Sequence, residues 1–425
     1  MIHSSLGDYA GQTVTIVDPY STGAQLAPAL RARGMRPVAV VSPGGPPAVS
    51  AADLRPDDFD EVYYADRVDL FAVLGAQAPA WVVPGGEEGV ELADRLAAAL
   101  TPGRGNVVSL AAARRHKGRA AEAMSAAGVP VPRTISTADE EAVAAWLASR
   151  GLADRPLVLK PPRSSASDGV VLIEAGGDWR LPFRRLRGSL NALEVRDDEV
   201  VVQEYLAGEE CAVDTVSIDG RHLPVARFGY TKQFTRYRAV DVLPLDPEPE
   251  LLILATRALE AVGLCNGAAH IEIIRANGGP RVVEVNARLQ GGAAPAMSRL
   301  ASGDSQLDRF VAVLAGEQPS PPAPVIRPVR AVYLCAERDG ICRPEALTRF
   351  CAEVRELGSF AGVDMFVTPA APIPRTVDLL TALGRVLLAH DSAAQIESDT
   401  CRIRDLELDL ELDLVAPVST SAVAG

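Results

Sequence analysis

His270-Ile271-Glu272-Ile273-Ile274-Arg275-Ala276-Asn277-Gly278-Gly279-Pro280-Arg281-Val282-Val283-Glu284-Val285-Asn286-Ala287-Arg288 is the stretch on which the fold turns. Two runs rich in Ile and Val flank Ala276 to Pro280, a turn cluster containing Asn-Gly, which is the pattern of an antiparallel β-hairpin. A turn centred on Gly278 sets Glu272 opposite Glu284 and His270 opposite Asn286. Side chains alternate along a strand, so His270 and Glu272 share a face, as do Glu284, Asn286 and Arg288. Ile271, Ile273, Val283 and Val285 then point the other way, into a core.

Two carboxylates opposed on a strand pair repel each other and weaken the sheet unless positive charge sits between them. A hard divalent cation supplies that charge. Mg²⁺ takes carboxylate oxygens together with phosphate oxygens and water, and Asn286 adds an amide oxygen. The alternative is a solvated hairpin face with scattered charge. Against it stands the end of that face, Arg288-Leu289-Gln290-Gly291-Gly292, where two glycines permit close backbone approach to a ligand.

Glu272, followed by Glu284-Val285-Asn286-Ala287-Arg288, resembles the metal-binding hairpin of the ATP-grasp superfamily. The continuation Arg-Leu-Gln-Gly-Gly, with Pro295 a little later, is similar to the ATP-dependent amino-acid ligases of that superfamily. The resemblance implies an ATP-grasp fold of mixed α/β and α+β class. It implies ATP and Mg²⁺ as cofactors, with Mn²⁺ as a substitute, and Glu272, Glu284 and Asn286 as the metal ligands. Gly291 and Gly292 would then lie beside the substrate.

Composition sets bounds. A chain of 425 residues, 48% of them hydrophobic, has room for two or three compact domains. A net charge of −13 argues against a nucleic-acid surface, which needs Lys and Arg facing phosphates. Six dispersed cysteines show no C-x-x-C pair or zinc spacing, as in a reduced cytoplasmic protein. The N-terminus has no basic region followed by an apolar run, and no segment has the apolar length to span a bilayer, so no membrane partner is expected.

Thr13 to Asp18 reads as a buried strand, followed by a turn, a helix through about Arg33 and a second strand, Arg36 to Ser42. This rhythm predicts a doubly wound parallel-sheet domain over 1–108. The chain holds neither G-x-G-x-x-G after its first strand nor G-x-x-x-x-G-K-[ST]. Strand Trp81 to Pro84 runs through Gly85-Gly86-Glu87-Glu88 into a helix reaching Leu100. By resemblance Glu87 lines the substrate pocket; as a helix-start acid it would equally stabilise the macrodipole. The nucleotide domain is placed at 109–316, with a lid subdomain at about 130–207. A helix over Ala111 to Ala127 carries Lys117 shortly before the exit Gly-Val-Pro-Val-Pro, where the family's phosphate-binding lysine lies. Lys160 ends a short buried strand, an uncommon place for an unpaired lysine, and an ATP phosphate would serve as its partner. Arg163 to Gly169, including Ser167, is a Ser-rich loop whose N–H and hydroxyl groups could close over phosphates. It holds less glycine than the superfamily loop.

Val200 to Glu210 resembles the family's adenine and ribose segment. Gln203, Glu204, Tyr205 and Leu206 would border the adenine, and Glu210, or else Glu209, the ribose. The basic run Thr231 to Arg238, with Lys232, either orders over the substrate or is a solvated loop. A helix from Glu248 to Val262 precedes the central hairpin, and another from Ser305 to Leu314 closes the domain. Five prolines between Glu317 and Pro328 mark a linker, 317–328. A small C-terminal α+β domain is placed at 329–415, ending in an amphipathic strand from Leu406 to Leu414, and a disordered tail at 416–425.

The parts suggest a reaction. Metal held by Glu272 and Glu284 neutralises charge while a substrate carboxylate attacks the γ-phosphoryl group, and an amine then attacks the acyl phosphate. Arg288 is placed to stabilise the oxyanion or the departing phosphate. His270 either orients a ligand, assists proton transfer or packs as a hydrogen-bonded residue. The expected partners are small-molecule carboxylates and amines, and a homodimer is compatible with the family. A carboxylase-like or purine-pathway ligase and a non-catalytic nucleotide-binding protein are the competing readings.

Overall fold

Four β-strands open the described chain, three of them largely apolar runs buried on both faces, as parallel strands between helix layers must be, while Glu61–Tyr64 is half-buried to exposed. In the computed structural model, which describes residues 10–245 and 248–412, these are β1 (Thr13–Val17), β2 (Arg36–Val41), β3 (Glu61–Tyr64) and β4 (Trp81–Pro84). They form a parallel sheet of order β3-β2-β1-β4. The order turns back between β1 and β4, so Asp18 and the Gly85-Gly86-Glu87-Glu88 turn meet at the carboxyl ends where open α/β sheets place their ligands. Gly85 is required there: a Cβ would lie 2.5 Å from Pro19 Cα and 2.8 Å from Asp18 O.

Four short strands follow, β5 (Thr134–Thr137), β6 (Leu157–Lys160), β7 (Val171–Ile173) and β8 (Val200–Glu204), in an antiparallel sheet of order β5-β8-β6-β7. Val143, Leu147, Leu157, Leu159, Phe183, Val200 and Val202 form its core. Longer strands come next: β9 (Gly208–Ile218), β10 (Arg221–Gln233), β11 (Arg236–Leu243), β12 (Gly267–Ala276) and β13 (Gly279–Asn286).

Chain contacts divide the described residues into two units. The first runs through Phe228 and includes Pro244–Arg299 and Gly303–Pro324. Within it, β13, β12, β9 and the Arg221–Phe228 part of β10 lie side by side in that order. Val14, Ile16, Leu30 and Trp81 of the parallel layer pack with Val216, Ile218, Phe310 and Leu314, and Trp81 Nε1 donates to Leu314 O at 3.0 Å. The second unit holds Gly229–Leu243, Leu300–Ser302 and the described residues from Val325. It contains β11, β14 (Val329–Leu334), β15 (Gly340–Ile341), β16 (Phe360–Met365), β17 (Pro372–Ile373) and β18 (Gly384–Ala389). Here β11-β14-β18-β16 are antiparallel neighbours, and Phe350, Val354, Ile396 and Ile403 of two helices share a core with Val332, Val386 and Leu388. No described helix is long and apolar enough to cross a membrane.

The structure departs from the sequence reading at three places. First, the residue of β13 expected in the core is displaced: Val282 and Val285 are buried, and Val283 is not. The turn pairs Ala276 with Gly279, half a residue earlier than expected, and a bulge between Glu272 and Ile273 restores the register so that Glu272 faces Glu284 and His270 faces Asn286. Second, the helix expected over Ala111 to Ala127 is broken into a 3₁₀ segment, Val108–Arg114, and an α-helix, Lys117–Ala126, capped by His116. The buried guanidinium of Arg114 forces the break by donating to Val107 O at 3.0 Å and Val262 O at 2.8 Å while pairing with Asp94.

Third, Leu406 to Leu412 is the end of the helix Ala393–Leu412, not a strand; 413–414 and the expected tail lie outside the described residues. Leu406 and Leu410 continue the helical face begun by Ile396 and Ile403, while Leu408 is 61% exposed. A strand would put Leu408 and Leu410 on one face. Leu410→Ala is therefore expected to destabilise by about 2–5 kcal/mol and Leu408→Ala by at most about 0.5 kcal/mol. Urea unfolding of the two variants checks this, and equal losses would contradict the helical register.

Candidate active site

The hairpin carries its charge on the face of β12 and β13 that turns away from the core of Ile271, Ile273, Val282 and Val285. Strand β9 extends that face. It pairs His270 with Asp214, Glu272 with Ala212 and Ile274 with Glu210, so Asp214, Ala212 and Glu210 lie on the same side. Glu209 faces the other way, with its side chain 81% exposed and Arg275 Nη2 at 3.8 Å.

Each of the two opposed carboxylates has a cationic neighbour. Lys117 Nζ lies 3.3 Å from Glu284 Oε1 and also donates to Ser164 O at 2.5 Å, tying the Ser-rich loop to the hairpin. The helix that carries Lys117 is anchored by Lys117 N donating to Pro162 O, and its exit is clipped to the hairpin by Val282 N donating to Pro130 O. His270 Nε2 lies 3.4 Å from Glu272 Oε1, and its Nδ1 is 2.8 Å from Asp214 Oδ1. Burial pushes the imidazole pKa down and the Asp214 carboxyl up, but the carboxylates on both sides of the ring prevail and carry His270 to about 9. The ring thus bridges Asp214 and Glu272.

Lys160 ends β6 with 4% exposure, and burial pushes its pKa down. Glu284, Glu272 and Glu210 oppose that shift and Lys117 adds to it, which places all four within electrostatic reach. Arg288 is close to Glu284 and Glu272 as well, and Asn286 is buried beside it with its carbonyl accepting from Arg288 N at 2.9 Å. The structure therefore brings together Lys117, Lys160, Glu210, His270, Glu272, Glu284, Asn286 and Arg288.

Glu87 joins this group with both carboxylate oxygens engaged: Arg288 Nε lies 2.9 Å from Oε2, and Arg115 Nη1 lies 3.3 Å from Oε1. Gly291 comes near Ser21 of the same unit, and Gly292 has the left-handed φ of 70°. Gln203 Nε2 donates to Thr134 Oγ1, Glu204 is clamped by Arg133, and Tyr205 N donates to Pro156 O. In the Ser-rich loop Ala166 and Ser167 take left-handed φ values of 55° and 66°, a conformation that glycine adopts without strain. Lys232 belongs to the second unit, where its ammonium lies over the rings of Tyr230 and Tyr237 at 4.8 and 4.3 Å. Arg236 and Arg238 of the same basic run pair with Glu337 and Glu407.

Sequence reasoning missed Asp214 and Arg115. Asp214 had a signal, a lone acid inside an apolar strand opposite His270. Arg115 had none, since it stands in a basic run whose burial only the tertiary structure decides.

Residues 115–292 match the ATP-grasp domain family. That segment of the chain carries an ATP-grasp domain. Dapdiamide A synthase of Enterobacter agglomerans is 26% identical over 427 residues, covering 94% of this chain and 96% of that protein. The solved L-amino acid ligase from Bacillus licheniformis aligns over 93% of this chain and 98% of its own with a TM-score of 0.66 and 18% identity. Carboxyaminoimidazole ribonucleotide synthase from Aspergillus clavatus, complexed with ATP, aligns over 94% and 99% with a TM-score of 0.70 and 13% identity. At those identities the two structures establish the ATP-grasp fold alone. The chain is an ATP-dependent ligase.

Burial works against a charged Lys160, because a buried ammonium loses hydration. Lys160→Met keeps the bulk and removes the charge. It is expected to raise the unfolding midpoint of the nucleotide-free protein while weakening MgATP binding by roughly 10- to 100-fold, the worth of a charge-assisted hydrogen bond. A lowered midpoint with unchanged binding, read by calorimetry and nucleotide titration, would make Lys160 structural.

Proposed function

We propose that this ligase joins the carboxylate of one amino acid to the amine of another through an acyl phosphate, releasing ADP and phosphate. The observation that carries this reading is the opposition of Glu272 and Glu284, with Lys117, Lys160 and Arg288 gathered on the same face. Such a face suits an anionic, metal-bearing substrate.

The donor set fits a hard cation. Among the described residues no group of three or more His, Cys, Asp or Glu converges on a metal position. Mg²⁺ does not need one, since it is held by one or two carboxylates and completes its shell with water and phosphate oxygens. Glu272, Glu284 and the Asn286 amide oxygen would hold it, and Mn²⁺ would fit the same oxygens. When bound, the ion neutralises phosphate charge.

The chain's own groups do the rest. Lys117 and Lys160 would meet the phosphates, Lys117 exchanging the Glu284 carboxylate for a phosphate oxygen. Glu210, on the site face of β9, would accept from the ribose hydroxyls, which Glu209 cannot do from the opposite face. The segment Gln203 to Leu206 would border the adenine. Since the N–H groups of Glu204 and Tyr205 are spent on Arg133 O and Pro156 O, Leu206 would supply the N–H for a ring nitrogen. The Ser-rich loop, Ser167 included, would cover the phosphates and keep water from the acyl phosphate. Arg288 would donate to the oxyanion formed as the amine attacks.

Phosphate release from MgATP is expected only with particular pairs of amino acids, accompanied by a condensed product in the mass spectrum. Glu284→Gln is expected to abolish both. ATP binding without turnover on any pair would remove the amino-acid substrate class. Within an active pair, Glu210→Gln is expected to raise the KM for ATP about tenfold or more and Glu209→Gln to leave it within about twofold, measured by steady-state kinetics. The reverse order would move the ribose to Glu209.

A further inference from the structure

Glu87 is the point at which the N-terminal parallel layer reaches the hairpin site. Its side chain is 6% exposed, and its two oxygens are divided between Arg288 Nε at 2.9 Å and Arg115 Nη1 at 3.3 Å. A carboxylate that recognised the ammonium of a substrate would need an oxygen turned toward solvent or ligand. Here both are turned to guanidinium groups. Burial pushes the Glu87 carboxyl up, but Arg288, Arg115 and Lys117 outweigh it and hold the group below the usual range, so it stays a carboxylate.

Arg288 is the freer partner. Arginine has many rotamers, and a group that stabilises a developing oxyanion has to be held within about 0.5 Å of its working place. Two of its nitrogens are committed: Nε to Glu87, and Nη1 to the carbonyl of Leu289 at 2.9 Å. Nη2 has no hydrogen bond among the described residues, and Glu284 and Glu272 are within electrostatic reach of the guanidinium. Glu87 in turn is well placed to serve as a fixed stop. The turn bearing it packs Gly85 onto Pro19 and Asp18, and Gly89 approaches Val17 so closely that a Cβ would lie 2.4 Å from its carbonyl oxygen. Backbone packed that tightly leaves the turn little room to shift.

We propose that Glu87 is a positioning residue for Arg288: it acts on the reaction by fixing that guanidinium and does not bind substrate. The proposal rests on the ligase reading, in which Arg288 serves the acyl-transfer step. It gives the parallel sheet a part in the chemistry through a buried carboxylate.

A double-mutant cycle tests it, with the wild-type protein and its active amino-acid pair as reference. Glu87→Asp keeps the charge and withdraws it by one methylene. It is expected to lower kcat about 10²-fold, the cost of a displacement near 1 Å, with the KM for ATP and for both amino acids within about twofold. Arg288→Ala is expected to lower kcat by roughly 10²- to 10³-fold. In the Arg288→Ala background, Glu87→Asp is expected to change kcat by less than about twofold, because the group it acts through is gone. Glu87→Gln, which keeps the shape, serves as the second variant should Glu87→Asp fold poorly, and the same non-additivity is expected. Three results would overturn the proposal: additive losses, a raised KM for one amino acid with kcat retained, or a lowered unfolding midpoint with kcat of the folded protein retained. Wild-type protein that releases no phosphate with any pair would sink the ligase reading and this proposal together. Wild-type turnover with additive losses would sink the proposal alone.

Discussion

Two glutamates that face each other across a strand pair repel, and a sheet tolerates the arrangement only where other charge compensates it. Glu272 and Glu284 occupy that geometry at the centre of this protein, and the surroundings are arranged accordingly. Lys117 and the His270 imidazolium stand against them in the ligand-free chain. Lys160 and Arg288 add charge from two other elements. In the proposed reading these groups would have to move or share when a metal nucleotide arrived, because the same carboxylate oxygens would serve both partners. Affinity for the nucleotide would then be a difference between two charge-compensated states.

The layers around the hairpin carry out distinct physical tasks. The helix Lys117–Ala126 is fixed at its start by Pro162 O and at its exit by the hairpin itself, which makes Lys117 a rigid reporter of the loop that follows β6. The apolar face of β12 and β13 packs on Leu254, Ala258 and Leu259, so the charged face has a stiff floor. The parallel sheet is joined to the same unit by an apolar seam of Val14, Ile16, Trp81, Phe310 and Leu314. That seam brings the Glu87 turn against Arg288.

What was legible in the sequence follows from the range of the interactions involved. Turn chemistry and alternation act over a few residues, so the pairing of Glu272 with Glu284 and of His270 with Asn286 could be read directly. The bulge could not, because Val282 and Val283 are of the same residue type and only the packing of β13 decides which is buried. At the C-terminus, alternating leucines read as a strand, but a helix beginning at Ala393 already presents Ile396 and Ile403, and Leu406 and Leu410 fall in with that face. The Glu87 to Arg288 contact spans 201 positions. Nothing local marks it, and the sequence offered only two separate residues with separate expected roles. Family resemblance supplied the expectations for nucleotide contacts that spacing alone could not assign.

Transfer of the γ-phosphoryl group to a carboxylate at the hairpin face is the central claim, and isotope transfer tests it most directly. With an amino-acid substrate labelled with ¹⁸O in its carboxylate, turnover should place one ¹⁸O atom in each phosphate released. Unlabelled phosphate, or AMP and pyrophosphate in place of ADP, would contradict an acyl phosphate.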